Sequence, residues 1–150
     1  MPCYGGSWPE RPFCLDTIRG MTNLVDLSEW PLVRAQQNGR LTVEQATELN
    51  AAMVAMLTRA KAEGVRVAII VDQHDRQAPQ KGALEIVHSF WAEREAEIAE
   101  RCCGYASIVA TQELADLVQN PGPGGLVVMG TVDPQAAETW AKERLAAEDH

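Results

Sequence analysis

The hydrophobic and polar positions of the chain form short extended runs that alternate with longer helical stripes. Residues 23–28 and 31–37 are the first two extended runs, and the pair Asn38-Gly39 closes the second one. Pro31 heads that second run, a position that a strand tolerates because the first residue need not donate to the ladder. The pattern predicts a hairpin or a tight pair of strands.

A helix is predicted from Thr42 to Gly64. Thr42 and Gln45 have the spacing of a capping box, and glycine is the residue type that most often ends a helix. Between them one apolar stripe recurs at helical spacing, formed by Ala46, Leu49, Met53, Met56, Leu57 and Ala60. The nearly continuous apolar run from Val65 to Val71 then predicts a strand that is covered on both faces or central in a sheet.

The second half of the chain continues the alternation and completes the predicted fold. Its predicted elements are a helix from about Gln80 to Arg101, a strand from Tyr105 to Ala110, a brief helix capped by Thr111, a strand from Leu126 to Met129, and a helix begun by Asp133 and Pro134 that runs through Trp140 and Leu145. The order β-β-α-β-α-β-α-β-α predicts a single α/β domain, with a mostly parallel or mixed sheet of four to five strands flanked by helices.

The first twenty residues differ from the rest in composition. They contain three prolines, three glycines and two cysteines without hydrophobic periodicity, which predicts an irregular arm before a domain of residues 21–150. The aromatic residues Tyr4, Trp8 and Phe13 also lie in this arm. Packing of the arm across a neighbouring copy would produce a homodimer.

Charge and hydropathy narrow the set of partners. The formal net charge is −8 and the sequence pI is about 4.8, so long-range electrostatics disfavour nucleic acid and anionic membrane surfaces as partners. No apolar run approaches the roughly 18 to 20 residues that span a bilayer, and the start of the chain lacks the pattern of a signal peptide. We therefore expect a cytoplasmic protein.

The four cysteines match no zinc-finger spacing. Cys3 and Cys14 lie far apart, whereas Cys102 and Cys103 are adjacent and precede Gly104 at the predicted end of a helix. Free thiols in a reducing compartment are the favoured interpretation. A disulfide between the arm and the adjacent pair stays open at this point.

Four stretches resemble the STAS-type domains, and in particular the SpoIIAA-like group named after the sporulation anti-sigma factor antagonist. They are "LSEWPLVRAQQNGRLTVEQATELN", the strand "VRVAIIVD", the helix end "REAEIAERCCGYASIVAT" and the closing "VVMGTVDPQAAETWAKERL". The resemblance covers about residues 23–146 and rests on the order of elements. It implies a STAS-like single domain whose functional edge is the loop between Asp72 and the following helix.

In the better-known relatives, a phosphorylatable serine or threonine at the start of that helix controls docking of a kinase or an anti-sigma factor. This chain departs from the pattern, because residues 72–88 contain neither residue and Ser89 comes too late. The resemblance therefore implies a regulatory module that lacks the usual phosphorylation switch.

The loop nevertheless concentrates ionisable side chains. Asp72, His74, Asp75, Arg76 and Lys81 follow the buried strand, and ligands of open α/β sheets bind at the carboxyl ends of strands. These five residues are the predicted binding residues.

The same loop contains residue types that suit two kinds of chemistry. His74 lies between Asp72 and Asp75 in the sequence and is a candidate general base. The two aspartates are the other candidate catalytic residues. A metal would need these three ligands and His88 on the next helix to converge, and solvated loop residues are the more ordinary interpretation. No metal and no cofactor are expected.

Two functional hypotheses follow. The first is a non-enzymatic interaction module that binds a protein or a small molecule through the loop Asp72 to Lys81. The second is a small accessory enzyme or ligand-binding protein with a pocket at the strand ends and His74 as general base. Trp91 and Trp140 are expected in the core rather than in a ligand platform.

Overall fold

The computed structural model describes residues 24–148, so the predicted arm and the N-terminal cysteines lie outside the described residues. Its strands are β1 (Val25–Glu29), β2 (Leu32–Gln36), β3 (Gly39–Arg40), β4 (Val67–Asp72), β5 (Arg76–Gln77), β6 (Cys102–Ile108) and β7 (Val128–Thr131). Its helices are α1 (Val43–Glu63), α2 (Ala83–Arg101), α3 (Gln112–Asp116) and α4 (Pro134–Ala147). A 3-10 turn, Pro123–Gly125, precedes β7.

Five of the strands form one mixed sheet in the order β1-β2-β4-β6-β7. β1 pairs antiparallel with β2, as the predicted hairpin requires, and the other neighbours pair in parallel. The prediction of an α/β domain with a mixed sheet flanked by helices is confirmed. The finer assignment to the STAS type stays a prediction.

The central strand β4 is buried along its whole length, as its apolar run predicted. Ile69 belongs to the core cluster that β4 shares with α1 and α2, whereas Ile70 belongs to the cluster that includes α4. Successive side chains of a strand point to opposite faces, so a strand with helices on both sides contains no polar alternation.

Helix α1 begins and ends where its caps were predicted. Thr42 Oγ1 accepts from the Gln45 backbone N–H at 3.0 Å, and Gln45 Oε1 accepts from the Thr42 backbone N–H at 3.1 Å. Gly64 has a φ of 67°, the left-handed conformation that glycine adopts without a steric penalty. Asp133 caps α4 in the predicted manner by accepting from the Gln135 N–H at 3.0 Å.

The predicted start of α2 at Gln80 is wrong, because the helix begins at Ala83. Gln80 belongs to the preceding loop, where its side-chain Oε1 accepts from the Val43 N–H at 2.7 Å. Gly82, with a φ of 90°, separates this loop from the helix.

The predicted start of the next strand at Tyr105 is also wrong, because β6 begins at Cys102 directly after α2. No turn residue separates the two elements, so the sequence pattern does not mark their junction. A Cβ on Gly104 would come within 2.9 Å of the Trp140 ring, which explains why α4 packs closely on this part of the strand. β6 ends at Ile108 rather than Ala110.

Cys102 and Cys103 therefore lie in a buried strand, and Cys102 is also the C-cap of α2, at the helix C-terminus where the pair was expected. Both are free thiols. Burial raises the pKa of Cys102 to about 12, with a further contribution from Cys103, against the opposing charge of Arg66. Burial also raises the pKa of Cys103. Raised pKa values make both thiols poor nucleophiles.

We expect Cys102 and Cys103 to be unreactive in the folded protein. In a variant with Cys3→Ser and Cys14→Ser, a disulfide reagent at pH 8 should modify neither thiol rapidly before denaturation and both afterwards. For Cys102 the thiolate fraction should be on the order of a thousandfold below that of an exposed cysteine. Native-state modification at the rate of a free thiol would contradict the buried position of β6.

Candidate functional site

The loop after β4 is fixed by its own aspartate. Asp72 is only 3% exposed, and its Oδ1 accepts from His74 Nδ1 at 2.6 Å and from the His74 backbone N–H at 3.2 Å. The His74 side chain itself is 57% exposed. An ionised carboxylate can only accept, so this contact suits the imidazole tautomer that carries its proton on Nδ1. Asp72 thus orients His74 and is not itself available to a partner.

The backbone of the loop is held by the segment that follows β2. Gln37 donates to the Asp72 carbonyl at 2.9 Å, and Gly39 donates to the Asp75 carbonyl at 2.9 Å. The Asp75 N–H in turn donates to Asn38 Oδ1 at 2.8 Å. The two-residue strands β3 and β5 pair in parallel at the same place. The loop is therefore an ordered ridge whose predicted binding residues His74, Asp75, Arg76 and Lys81 are exposed.

A pocket of about 300 Å³ lies beside this ridge, between α2 and the sheet. We call it the strand-end pocket, because Gln37 and Gln73 directly follow β2 and β4. Its lining residues are Gln37, Leu41, Gln73, Arg76, Leu84, Val87, His88, Trp91, Tyr105, Pro123, Leu126 and Val128. Apolar walls with a few convergent polar groups are typical of small-molecule sites.

The strand-end pocket includes some of the predicted site residues and not others. Arg76 lines it, whereas His74 does not, and Lys81 lies in the loop before α2 without contributing to the wall. Trp91 packs against the core, as expected, but it also forms part of the wall.

Sequence reasoning missed Gln37, Gln73 and Tyr105 as lining residues. Gln37 and Gln73 had a signal, since Gln37 is the last residue of one predicted strand and Gln73 follows another within two residues, and ligands of open α/β sheets bind at such strand ends. Tyr105 had none, because an aromatic residue within a strand is ordinarily a core residue.

Arg76 is held in place by a chain of polar contacts. Its Nη1 donates to Gln73 Oε1 at 2.9 Å, and Gln73 Nε2 donates to Ser107 Oγ at 3.3 Å. Among the described residues no carboxylate forms an ion pair with Arg76. The pocket therefore contains an oriented guanidinium whose charge is not neutralised by a described side chain.

Tyr105 is a further residue of the same wall that has a polar group. Burial raises the pKa of Tyr105 to about 12, and the neighbouring Cys102 adds to this effect, whereas the positive charge of Arg76 opposes it. The Tyr105 ring packs edge-on against Trp91 with 5.5 Å between the ring centroids. The hydroxyl consequently keeps its proton at ordinary pH and can donate a hydrogen bond to a ligand.

A smaller cavity of about 30 Å³ lies behind the pocket and shares Gln37, Val87, Trp91 and Tyr105 with it. Asn50 lines this cavity, and its Oδ1 is the one buried side-chain oxygen or nitrogen among residues 24–148 that lacks a hydrogen-bond partner. The cavity is large enough for a water molecule, which would satisfy this acceptor.

A second, larger groove of about 760 Å³ lies at the opposite ends of the strands. We call it the basal groove, and its residues include Pro31, Val65, Arg66, Arg101, Lys142 and Leu145. Its cationic side chains all have acidic neighbours: Arg66 with Glu148 at 3.1 Å, Arg101 with Glu100 at 3.4 Å and Lys142 with Glu138 at 3.5 Å. Although larger, this groove offers a ligand no unpaired charge, so we regard the strand-end pocket as the better candidate.

The structure brings no set of possible metal ligands together in the part of the chain that it describes. No group of three or more histidine, cysteine, aspartate or glutamate side chains there could hold an ion. His74 and Asp72 contact each other, whereas His88 lies in the wall of the strand-end pocket.

Across residues 24–148 no helix combines the length and the apolar character needed to cross a membrane. Comparisons with models of known protein families, with curated proteins and with solved structures found no match for this chain. The geometry of the site is thus the basis for any statement about function.

Proposed function

We propose that the protein is a non-enzymatic, STAS-like interaction module that binds a small-molecule partner in the strand-end pocket. One observation supports this most strongly: polar groups from the ends of β2 and β4, from β6 and from α2 converge on a pocket with apolar walls. Ligands of open α/β sheets bind at the carboxyl ends of the strands, where this pocket lies.

The proposal also accounts for the missing phosphorylation site. Residues 72–88 contain no serine or threonine, so the regulatory input that STAS-type relatives receive by phosphorylation needs another source. A ligand in the strand-end pocket that contacts Arg76 and Gln73 binds to the same loop and provides such an input. A protein partner that contacts His74 and Asp75 on the outer side of the ridge stays a prediction, as does a homodimer.

The accessory-enzyme alternative receives less support from the geometry. His74 is the candidate general base, but it does not line the strand-end pocket. A general base must come within hydrogen-bond reach of the proton that it removes. We therefore propose binding without catalysis.

A fragment screen with a matched pair of variants tests this function. We expect some members of a panel of aromatic fragments, with anionic, neutral and cationic examples, to bind the wild-type protein by ligand-observed NMR. Leu84→Trp places a larger side chain in the pocket wall and should abolish binding of these fragments. Leu117→Trp is the control, because Leu117 is 73% exposed and does not line the pocket. Equal binding to the Leu84→Trp variant would refute the assignment of the pocket.

A further inference from the structure

The charge of the strand-end pocket is opposite to that of the whole protein. The chain contains 21 acidic and 13 basic residues, yet none of the described residues that line the pocket is acidic. Arg76 contributes a positive charge there, and Gln37, Gln73, His88 and Tyr105 contribute groups that can donate hydrogen bonds. A site without a negatively charged side chain, but with several hydrogen-bond donors, favours an anionic group of a ligand.

Accordingly, and resting on the proposed function, we infer that the ligand of the strand-end pocket is a small aromatic or aliphatic carboxylic acid, bound as its carboxylate by Arg76. Guanidinium groups bind carboxylates through two parallel hydrogen bonds, which lysine cannot reproduce. The contact from Arg76 Nη1 to Gln73 Oε1 restrains the guanidinium in advance and leaves its other N–H groups for a ligand.

The size and the walls of the pocket limit the rest of the ligand. Its volume of about 300 Å³ lies at the lower end of the roughly 300–1,000 Å³ that small-molecule sites occupy. The apolar side chains Leu84, Val87 and Leu126 and the Trp91 ring line much of it. One or two fused rings, or a short aliphatic chain, would fill this space.

A single negative charge fits better than several. The net charge of −8 repels polyanions at long range. The pocket supplies one arginine, and the sequence contains no glycine-rich phosphate loop of the known types. A monocarboxylate needs only the one charge-assisted contact that Arg76 provides.

Three ligands of nearly the same shape test the inference by isothermal titration calorimetry. They are 1-naphthoate, the neutral 1-naphthamide and the cationic 1-naphthylmethylamine. We expect 1-naphthoate to bind wild-type protein at least tenfold more tightly than either of the others. Inorganic phosphate at the same concentration should not displace it. Tighter or equal binding of the amide or the amine would overturn the inference, and so would displacement by phosphate.

Two arginine variants test whether Arg76 is the residue that binds the carboxylate. Arg76→Gln should reduce the affinity for 1-naphthoate at least tenfold, to the level of the amide, and leave the affinity for the amide unchanged. Arg94→Gln on α2 is the control, because Arg94 pairs with Glu97 and does not line the pocket. An unchanged affinity in the Arg76→Gln variant would refute the role of Arg76. The comparison of the three ligands on the wild type is independent of how well this variant folds.

The two proposals fail in distinguishable ways. If 1-naphthoate does not bind, but neutral or cationic fragments bind in a manner that Leu84→Trp abolishes, the ligand class is wrong and the proposed function stands. If neither the three naphthalene ligands nor any fragment binds, both proposals are wrong.

Discussion

Replacing Ile69 by alanine is expected to lower the free energy of unfolding by about 3 to 4 kcal/mol, in the range for buried isoleucine-to-alanine changes that leave a cavity. Ile69 is 2% exposed and lies in β4, the middle strand of the five-stranded sheet. It also lines the 30 Å³ cavity, so its loss would enlarge an existing void instead of allowing the core to collapse around it.

Urea unfolding followed by circular dichroism measures this change. The matched control is Leu117→Ala, at a side chain that is 73% exposed, where we expect a change within about 0.5 kcal/mol. The slope of the unfolding free energy against urea should be the same in both variants. A loss below about 1 kcal/mol for Ile69→Ala would be inconsistent with its place in the core.

Replacing Arg34 by methionine is the second large change, with an expected loss of about 3 kcal/mol, because removing one partner of a buried ion pair leaves the other charge poorly compensated. Arg34 is 4% exposed. Its Nε donates to Glu29 Oε1 at 2.6 Å, and its Nη2 donates to Glu138 Oε1 on α4. Without Arg34, the largely buried Glu138 would keep the Lys142 ammonium at 3.5 Å.

Arg59→Met is the matched control for this variant. Arg59 forms the same kind of pair, with Glu63 at 2.9 Å, and its guanidinium lies over the Trp30 ring. Both partners are more than 40% exposed, however, and exposed pairs contribute about 0 to 1 kcal/mol. Equal losses in the two variants would show that the burial of Arg34 has no energetic consequence.

The loss caused by Arg34→Met should also depend on pH. Burial on its own would raise the pKa of Glu138, but the hydrogen bond and charge of Arg34, with a contribution from Lys142, lower it below its ordinary value. A carboxylate with a depressed pKa stabilises the fold above its unfolded-state pKa, and this contribution disappears as the pH falls through the folded-state pKa. The difference between wild type and variant should therefore be largest near neutral pH and shrink in acid.

Helices and strands that have clear local signals could be predicted from the sequence alone. The capping box of Thr42 and Gln45 and the left-handed Gly64 define α1, and the apolar run before Asp72 defines β4. Elements without such signals were missed or shifted. β3 and β5 have two residues each, too few for any hydrophobic period, and the junction of α2 with β6 at Cys102 has no turn residue.

The candidate site was predictable only in part, for a related reason. The loop and Arg76 were predicted because polar residues follow a buried strand. That Asp72 is turned inward to hold His74, and that Tyr105 and His88 line a pocket with Arg76, depends on packing between α2 and the sheet. Such packing brings together residues from distant parts of the chain, and no local pattern in the sequence marks them.

The most direct test of the central claim is to map where 1-naphthoate binds, using the backbone amide chemical shifts of ¹⁵N-labelled protein. We predict that the shifted amides cluster around the strand-end pocket, at Gln73, Arg76, His88 and Val128. A cluster around the basal groove instead, at Val65, Arg66, Arg101 and Leu145, would contradict the account, and so would the absence of any localised change.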